Sequence, residues 1–277
     1  MERIKRYKLG DFEIIHFQSA RFSLDGGTMF GVVPKVIWSK RAPPDDKNLI
    51  KMAANIILVK AKNKAILVDT GVGDFWDEKM EKIYKIEPMN WWDVIGIGPD
   101  EIDFVVITHL HFDHTGGSTV KRGEGFYPAF PKASYIVQKT EWHDAINTNE
   151  RTKGGYIEER FLPFKDQLQI VDGNYEIITG IKVLRTGGHT RGHQVVFFES
   201  SGKYALYFGD LVPMVHHLPL PYIMAYDNFP LETLEKKKEL YDEAIKNNWL
   251  LFFEHDPEPI AGYLKFKDGK PVLIPAE

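Results

Sequence analysis

The segment Phe104-Val-Val-Ile-Thr108 is apolar and largely β-branched, and it runs without a break into His109-Leu110-His111-Phe112-Asp113-His114-Thr115-Gly116-Gly117. This junction constrains the fold more than any other feature of the chain. Three imidazoles and a carboxylate within six residues must be delivered together by the end of a strand. Extension puts His109 and His111, two apart, on the same side. The chain must then turn, so Asp113 and His114 arrive where a helix is expected to begin near Gly116-Gly117. Neutral imidazole and carboxylate are the donors that zinc, iron and manganese accept. The competing reading, three histidines packed idly beside an aspartate at a strand end, is disfavoured.

Further donors stand at comparable places. Gly187-Gly188-His189-Thr190-Arg191-Gly192-His193 is a glycine-rich turn between strand-like runs, Gly209-Asp210 closes one apolar run, and Glu254-His255-Asp256-Pro257 closes another. An acid at the end of a buried strand is costly unless it is paired or bound to a cation. The chain has no cysteine, so disulfides, thiolate nucleophiles and thiolate-held metals are excluded.

Strand candidates are Asn55–Lys60 and Lys64–Asp69, a hairpin across Ala61-Lys62-Asn63, then Phe104–Thr108, Ser134–Gln138, Ile181–Leu184, Val195–Glu199, Tyr204–Phe208 and Leu250–Phe253. A helix is expected over Leu231–Asn247, with Leu231, Leu234, Tyr241, Ala244 and Ile245 on its apolar stripe. The plan strand, polar turn, strand ending in an acid occurs at Asn55–Asp69 and again at Gln194–Asp210. Each occurrence is followed later by an apolar run entering a histidine, which suggests two similar halves. Unalternating strands separated by helical stretches point to sheets covered by helices. No composition break appears, so residues 1–277 are read as a single domain.

Lys plus Arg number 35 and Asp plus Glu 39, giving a formal net charge of −4. The basic run Lys236–Lys238 is flanked by Glu232, Glu235 and Glu239 and reads as a solvated helix face. Nucleic acid is therefore not the expected partner. No apolar stretch reaches about 18 residues, and the charged start lacks the apolar core of a secretory signal. No membrane association and a cytoplasmic location are expected.

T-H-L-H-F-D-H-T-G-G, followed by G-H-T-R-G-H, G-D and F-E-H-D, with L-V-D-T-G around Asp69, resembles the metallo-β-lactamase superfamily of metallohydrolases. The matching positions run from Asp69 to His255, about two-thirds of the chain. The resemblance implies an α/β fold, a four-layer αβ/βα sandwich of two mixed sheets with helices outside and metals at one edge. It implies two divalent ions, zinc first, with iron, manganese or cobalt also compatible. One would be held by His109, His111 and His189, the other by Asp113, His114 and His255, with Asp210 bridging. Asp113 would also pass a proton to the leaving group, Asp69 would hold the site by hydrogen bonds, and His193 would be structural. The implied function is hydrolysis of a small ester, lactone or phosphoester by a metal-bridging hydroxide. A metal-containing scaffold or sensor without turnover is the alternative, and a diiron redox protein a weaker one. Redox branches of the superfamily typically carry Glu where His111 stands.

Within the superfamily the chain looks most like the lactonase and organophosphate-hydrolase branch, which has an extension before the first hairpin, as residues 1–54 form here. Acyl-homoserine lactonases usually place a tyrosine three residues after the bridging Asp. This chain has Pro213 there, leaving Tyr222 or Tyr226 to supply one. The apolar loops predict a pocket for a small-molecule substrate walled by Phe30, Trp38, Met214, His216, His217 and Tyr222, with Met29 and Met224 nearby. His216 and His217 are candidates for oxyanion contacts. The 1–54 extension is expected to serve the pocket or a homodimer contact.

Overall fold

The computed structural model describes residues 3–276, less the side chains of residues 93 and 94. Met1, Glu2 and Glu277, the ends of the 1–277 domain reading, lie outside the described residues. The first sheet is built from β1 (Ile4–Leu9), β2 (Phe12–Asp25), β3 (Leu49–Ala61), β4 (Lys64–Val68), β5 (Phe104–Val106), β6 (Ser134–Gln138) and β7 (Leu168–Val171), in that order across the sheet. The short strand Glu87–Pro88 pairs with β2 as an eighth member. The second sheet holds β8 (Tyr175–Ile178), β9 (Ile181–Arg185), β10 (Gln194–Ser200), β11 (Lys203–Tyr207), β12 (Leu250–Phe252), β13 (Ala261–Lys267) and β14 (Lys270–Pro275), also in order. Both sheets mix parallel and antiparallel pairs.

The parity of each strand assigns its side chains to a layer. Ile57, Val59, Ile66, Val68 and Val106 from the first sheet meet Val196, Phe198, Tyr207, Leu250 and Phe252 from the second in one buried cluster between the sheets. The alternate residues Ile56, Leu58, Leu67 and Val105 pack outward beneath the helices of the first half. Likewise Val195, Leu206, Leu251 and Phe253 pack under helix α4 (Pro230–Lys246). Because both faces are covered, the strands read as unbroken apolar runs. The result is the four-layer αβ/βα sandwich.

The repeated plan has a structural counterpart. The hairpin β3–β4 is antiparallel and β5 joins β4 in parallel, with Val68 opposite Val106. In the second half β10–β11 is antiparallel and β12 joins β11 in parallel, with Tyr207 opposite Phe252. The turn of the second hairpin uses Ser201 (φ 51°) and Gly202 (φ 71°), the left-handed pair that a two-residue hairpin requires.

One expectation is filled out and one is corrected. The 1–54 extension is itself part of the first sheet. β2 pairs with β3 from Glu13–Lys60 through Asp25–Leu49, so β1 and β2 are its edge, and residues 26–48 carry α1 (Gly26–Phe30) and the short helix Lys35–Trp38. The apolar stripe of α4 is also rotated from the one read. Leu231 is 76% exposed, while Thr233, Lys237, Leu240, Tyr241 and Ala244 face inward. Lys237 is thus not on a solvated face. Its ammonium donates to the carbonyls of His217 (2.7 Å), Pro219 (3.1 Å) and Tyr222 (3.0 Å). Among the described residues, no helix is long and apolar enough to cross a membrane.

Candidate metal centre

Four strand ends converge on one edge of the sandwich. β5 leads through Ile107 and Thr108 to His109. His111 then stands immediately before helix α2 (Phe112–Thr115), whose first turns present Asp113 and His114. That helix begins before Gly116-Gly117, earlier than the sequence suggested. The turn after β9 delivers His189, the end of β11 delivers Asp210 and the end of β12 delivers His255. Gly188 (φ 83°) makes the second of these approaches feasible, since a Cβ there would lie 2.4 Å from Thr233 Oγ1.

The donors form two adjoining groups. In the first, His111 Nδ1 lies 3.0 Å from His109 Nε2 and 3.1 Å from His189 Nε2. In the second, Asp113, His114 and His255 gather with their donor atoms within 4.8 Å of one another. Asp210 stands between the two groups. Its Oδ2 is 3.2 Å from His189 Nε2 and 3.8 Å from His109 Nε2, while its Oδ1 is 3.0 Å from His255 Nε2 and 3.6 Å from His114 Nε2.

The outer atoms of the imidazoles are engaged, which points the inner nitrogens at the centre. His189 Nδ1 donates to Asp227 Oδ1 at 2.9 Å, and His255 Nδ1 to the Ala53 carbonyl at 2.9 Å. His114 Nδ1 faces Asp69 Oδ2 at 3.0 Å and Glu254 Oε2 at 2.9 Å. Asp69 adopts the left-handed region (φ 54°) and also accepts from Thr108 N and Thr108 Oγ1, both at 2.7 Å. It therefore braces both the strand that carries His109 and the ring of His114. His193 is no donor to the centre: its Nε2 accepts from Asp210 N at 3.1 Å and its Nδ1 meets Thr186 Oγ1 at 2.7 Å.

The titration behaviour follows from this geometry. Burial, reinforced by neighbouring imidazoles, holds His109 and His111 well below the usual histidine range, so both are neutral and able to donate a lone pair. Burial would also lower His114, but Glu254, Asp210, Asp113 and Asp69 outweigh it and raise that ring well above its usual value. Burial would raise Asp210, but the cations of His255, His189 and His114 hold it well below the carboxylate range.

The fit to cations rests on unpaired atoms. His114 Nε2, His255 Nε2 and Asp210 Oδ1 are buried and have no hydrogen-bond partner apart from one another, the last two lying 3.0 Å apart. Orphaned polar atoms of this kind are rare and costly. Three of them converge at one place, and an all-N/O donor set of this kind suits a divalent metal, whose binding would displace the protons those rings otherwise carry.

The cavity above the centre measures about 410 Å³. Its floor is His111, Asp113, His189, Asp210 and His255; Leu24, Met29, Met52, Phe112 and Met224 give it an apolar side; Thr28, Tyr84, Arg151, Tyr226 and Asn228 give it polar groups. None of Phe30, Trp38, Met214, His216, His217 and Tyr222 lines it. Phe30 is stacked between Trp38 (5.2 Å) and His217 (4.8 Å) in the layer behind Met29, and Met214 and Tyr222 belong to the same cluster. His217 Nε2 meets the Met29 carbonyl at 2.8 Å rather than the cavity, and half-buried His216 lies near Arg41. Immediate neighbours in the chain point opposite ways here, which composition could not reveal. Asp227 carried no sequence signal at all, whereas Glu254 had one in its position beside His255 at a strand end.

Residues 50–262 match the model of the metallo-beta-lactamase superfamily. The chain belongs to that superfamily. It is a metal-dependent hydrolase. An N-acyl homoserine lactonase from Bacillus thuringiensis is 29% identical over 237 residues, 76% of this chain and 84% of that protein. The lactonase AttM of Agrobacterium fabrum is 26% identical over 178 residues, 62% of this chain and 64% of its own length. Among solved structures, a probable metal-dependent hydrolase from Staphylococcus aureus is 30% identical, with 97% of this chain and 99% of that chain covered and a TM-score of 0.88. The dizinc quorum-quenching lactonase AidC, 24% identical with 99% and 97% covered and a TM-score of 0.83, shares the fold.

Proposed function

We propose that this hydrolase opens a small lactone with an apolar arm, N-acyl homoserine lactones foremost, and that it does so with two zinc ions. His109, His111 and His189 would hold one ion, Asp113, His114 and His255 the other, and Asp210 would contact both. The observation that carries the reading is the division of Asp210, one oxygen toward each group of imidazoles. Metal ions held there supply Lewis acidity, which can lower the pKa of water from 15.7 to about 7 and polarise an acyl oxygen.

The chain's own residues do the rest. The Nδ1 bonds to Asp227 and to Ala53 fix the tautomers and ring planes of His189 and His255. Asp113, on the cavity floor, would take the proton released by the attacking water and hand it on to the departing alkoxide. Leu24, Met29, Met52 and Met224 offer the acyl arm a surface that adapts to its shape. Tyr226, on the cavity wall where Tyr222 is not, is 38% exposed and carries a phenol that keeps its proton at neutral pH. It is thus a hydrogen-bond donor in place of the tyrosine that Pro213 displaces. The lactonase relatives and the apolar wall together favour the lactone over a phosphoester.

The test is a substrate series on protein of measured zinc content. N-acyl homoserine lactones of increasing chain length are expected to gain up to about fourfold in kcat/KM per methylene while the arm is being buried, from about 0.8 kcal/mol each. Aryl esters and phosphotriesters are the comparison. Zinc-loaded protein that opens no lactone would refute the substrate reading, and protein that takes fewer than two ions would refute the ligand assignment.

A further inference from the structure

Glu141 lies in the first turn of helix α3 (Lys139–Ile146), the helix that follows β6, and its side chain is buried. The hydrolytic reading makes no use of it. Its carboxylate accepts from Leu110 N at 2.9 Å, from the Tyr156 hydroxyl at 3.0 Å and from Thr190 Oγ1. Leu110 stands between His109 and His111, and Thr190 follows His189. The Tyr156 ring packs against His111 with centroids 4.9 Å apart at 60°. One carboxylate therefore ties together the chain segments that bring the three imidazoles of the first group.

The backbone reinforces this arrangement. A Cβ on Gly192 would lie 2.3 Å from Glu141 N, so the start of the helix and the turn carrying His189 touch with no side chain between them. Burial pushes the Glu141 carboxyl up. A buried acid whose hydrogen-bond donors are all neutral is costly to keep, and an apolar residue would avoid that cost. What it provides in return is spacing between two turns 80 residues apart in sequence.

We propose that Glu141 is a positioning residue that sets the separation of His109, His111 and His189 and so governs how tightly the ion between them is held. The inference rests on the ligand assignment proposed above. The second group takes its orientation from other atoms, Asp69 for His114 and the Ala53 carbonyl for His255, so the effect is confined to one ion.

The experiment titrates chelator-stripped protein with zinc against a chromophoric competitor. The native chain is expected to take two ions. Glu141→Ala is expected to hold one as the native chain does and the other about 10- to 100-fold more weakly, the range seen when a group supporting metal ligands is lost. Glu141→Gln should restore that ion to near-native affinity, because its oxygen can accept from Leu110 and Tyr156 while the Thr190 hydroxyl turns to accept from the amide. His189→Ala identifies which ion is affected: combined with Glu141→Ala it should weaken the ion of the first group no further than His189→Ala alone. A merely structural role would lower the melting temperature without singling out one ion. Native affinity for both ions in Glu141→Ala, or equal loss of both, overturns the proposal. If that variant does not fold, Thr190→Val and Tyr156→Phe each remove one donor and should weaken the same ion by a smaller factor. Native affinities in both would equally overturn it. A native chain that fails to take two ions sinks the ligand assignment itself, so the two failures are told apart.

Discussion

Replacing Asp227 separates charge from geometry at a single imidazole. Its carboxylate accepts from His189 Nδ1 at 2.9 Å and from Thr233 Oγ1 at 2.7 Å, all of it buried. Asparagine keeps the fork: its oxygen can accept from His189, and the Thr233 hydroxyl can rotate to accept from the amide nitrogen. Only the charge is lost, and we expect about a tenfold loss in zinc affinity, or about 1.4 kcal/mol. Alanine instead orphans two buried donors, each worth about 1–3 kcal/mol. The share at His189 should weaken the ion toward the hundredfold end, about 2.7 kcal/mol, while the share at Thr233 should appear as lost stability in zinc-free protein. Competition titration and thermal unfolding of stripped protein measure the two quantities. Native zinc affinity in Asp227→Ala would refute the claim that this carboxylate orients a ligand.

Two further outcomes are expected. His217→Ala should cost about 2–5 kcal/mol of stability, because it empties the Phe30 stack and strands the Met29 carbonyl. It should leave kcat within about twofold at full metal content; a tenfold fall in kcat with unchanged stability would return His217 to the catalytic site. Lys237 gives a pH test. Burial lowers its ammonium to about 7 from 10.5, so between those values the unfolded chain binds more protons than the folded one. Stability contributed by this group therefore rises with pH across that window, by at most about 1.4 kcal/mol per unit, and is flat below it. Denaturant unfolding of native protein and Lys237→Met from pH 6 to 10 should show that rise in the difference between them; parallel curves would refute it.

Much of the first half of this picture was legible in the residues. The strand read at Phe104–Thr108, observed over Phe104–Val106, with the histidines after it, the repeated hairpin plan and Asp210 at the end of β11 fell close to where local pattern put them, because strand ends and turns are governed by short-range rules. The seven donor residues named from sequence meet at one edge in the structure. What misled was parity under a buried surface. Lys237 looked solvated because its neighbours Lys236 and Lys238 pair with Glu239 and Glu235, yet one step round the helix faces the interior. Phe30 and Met29 are adjacent, but only Met29 reaches the cavity.

By itself the sequence determined which chemistry is available: nitrogen and oxygen donors without thiols, delivered at strand ends on covered sheets. Tertiary structure decided which donors meet, which side of Asp210 each one faces, and which apolar residues wall the cavity rather than the core. The physical reason is range. Strand periodicity and turn chemistry act over a few residues and can be read in order along the chain. The contacts of Glu141 with Leu110 and Thr190, or of Asp227 with His189, depend on how two sheets and their helices pack, and no local pattern encodes them.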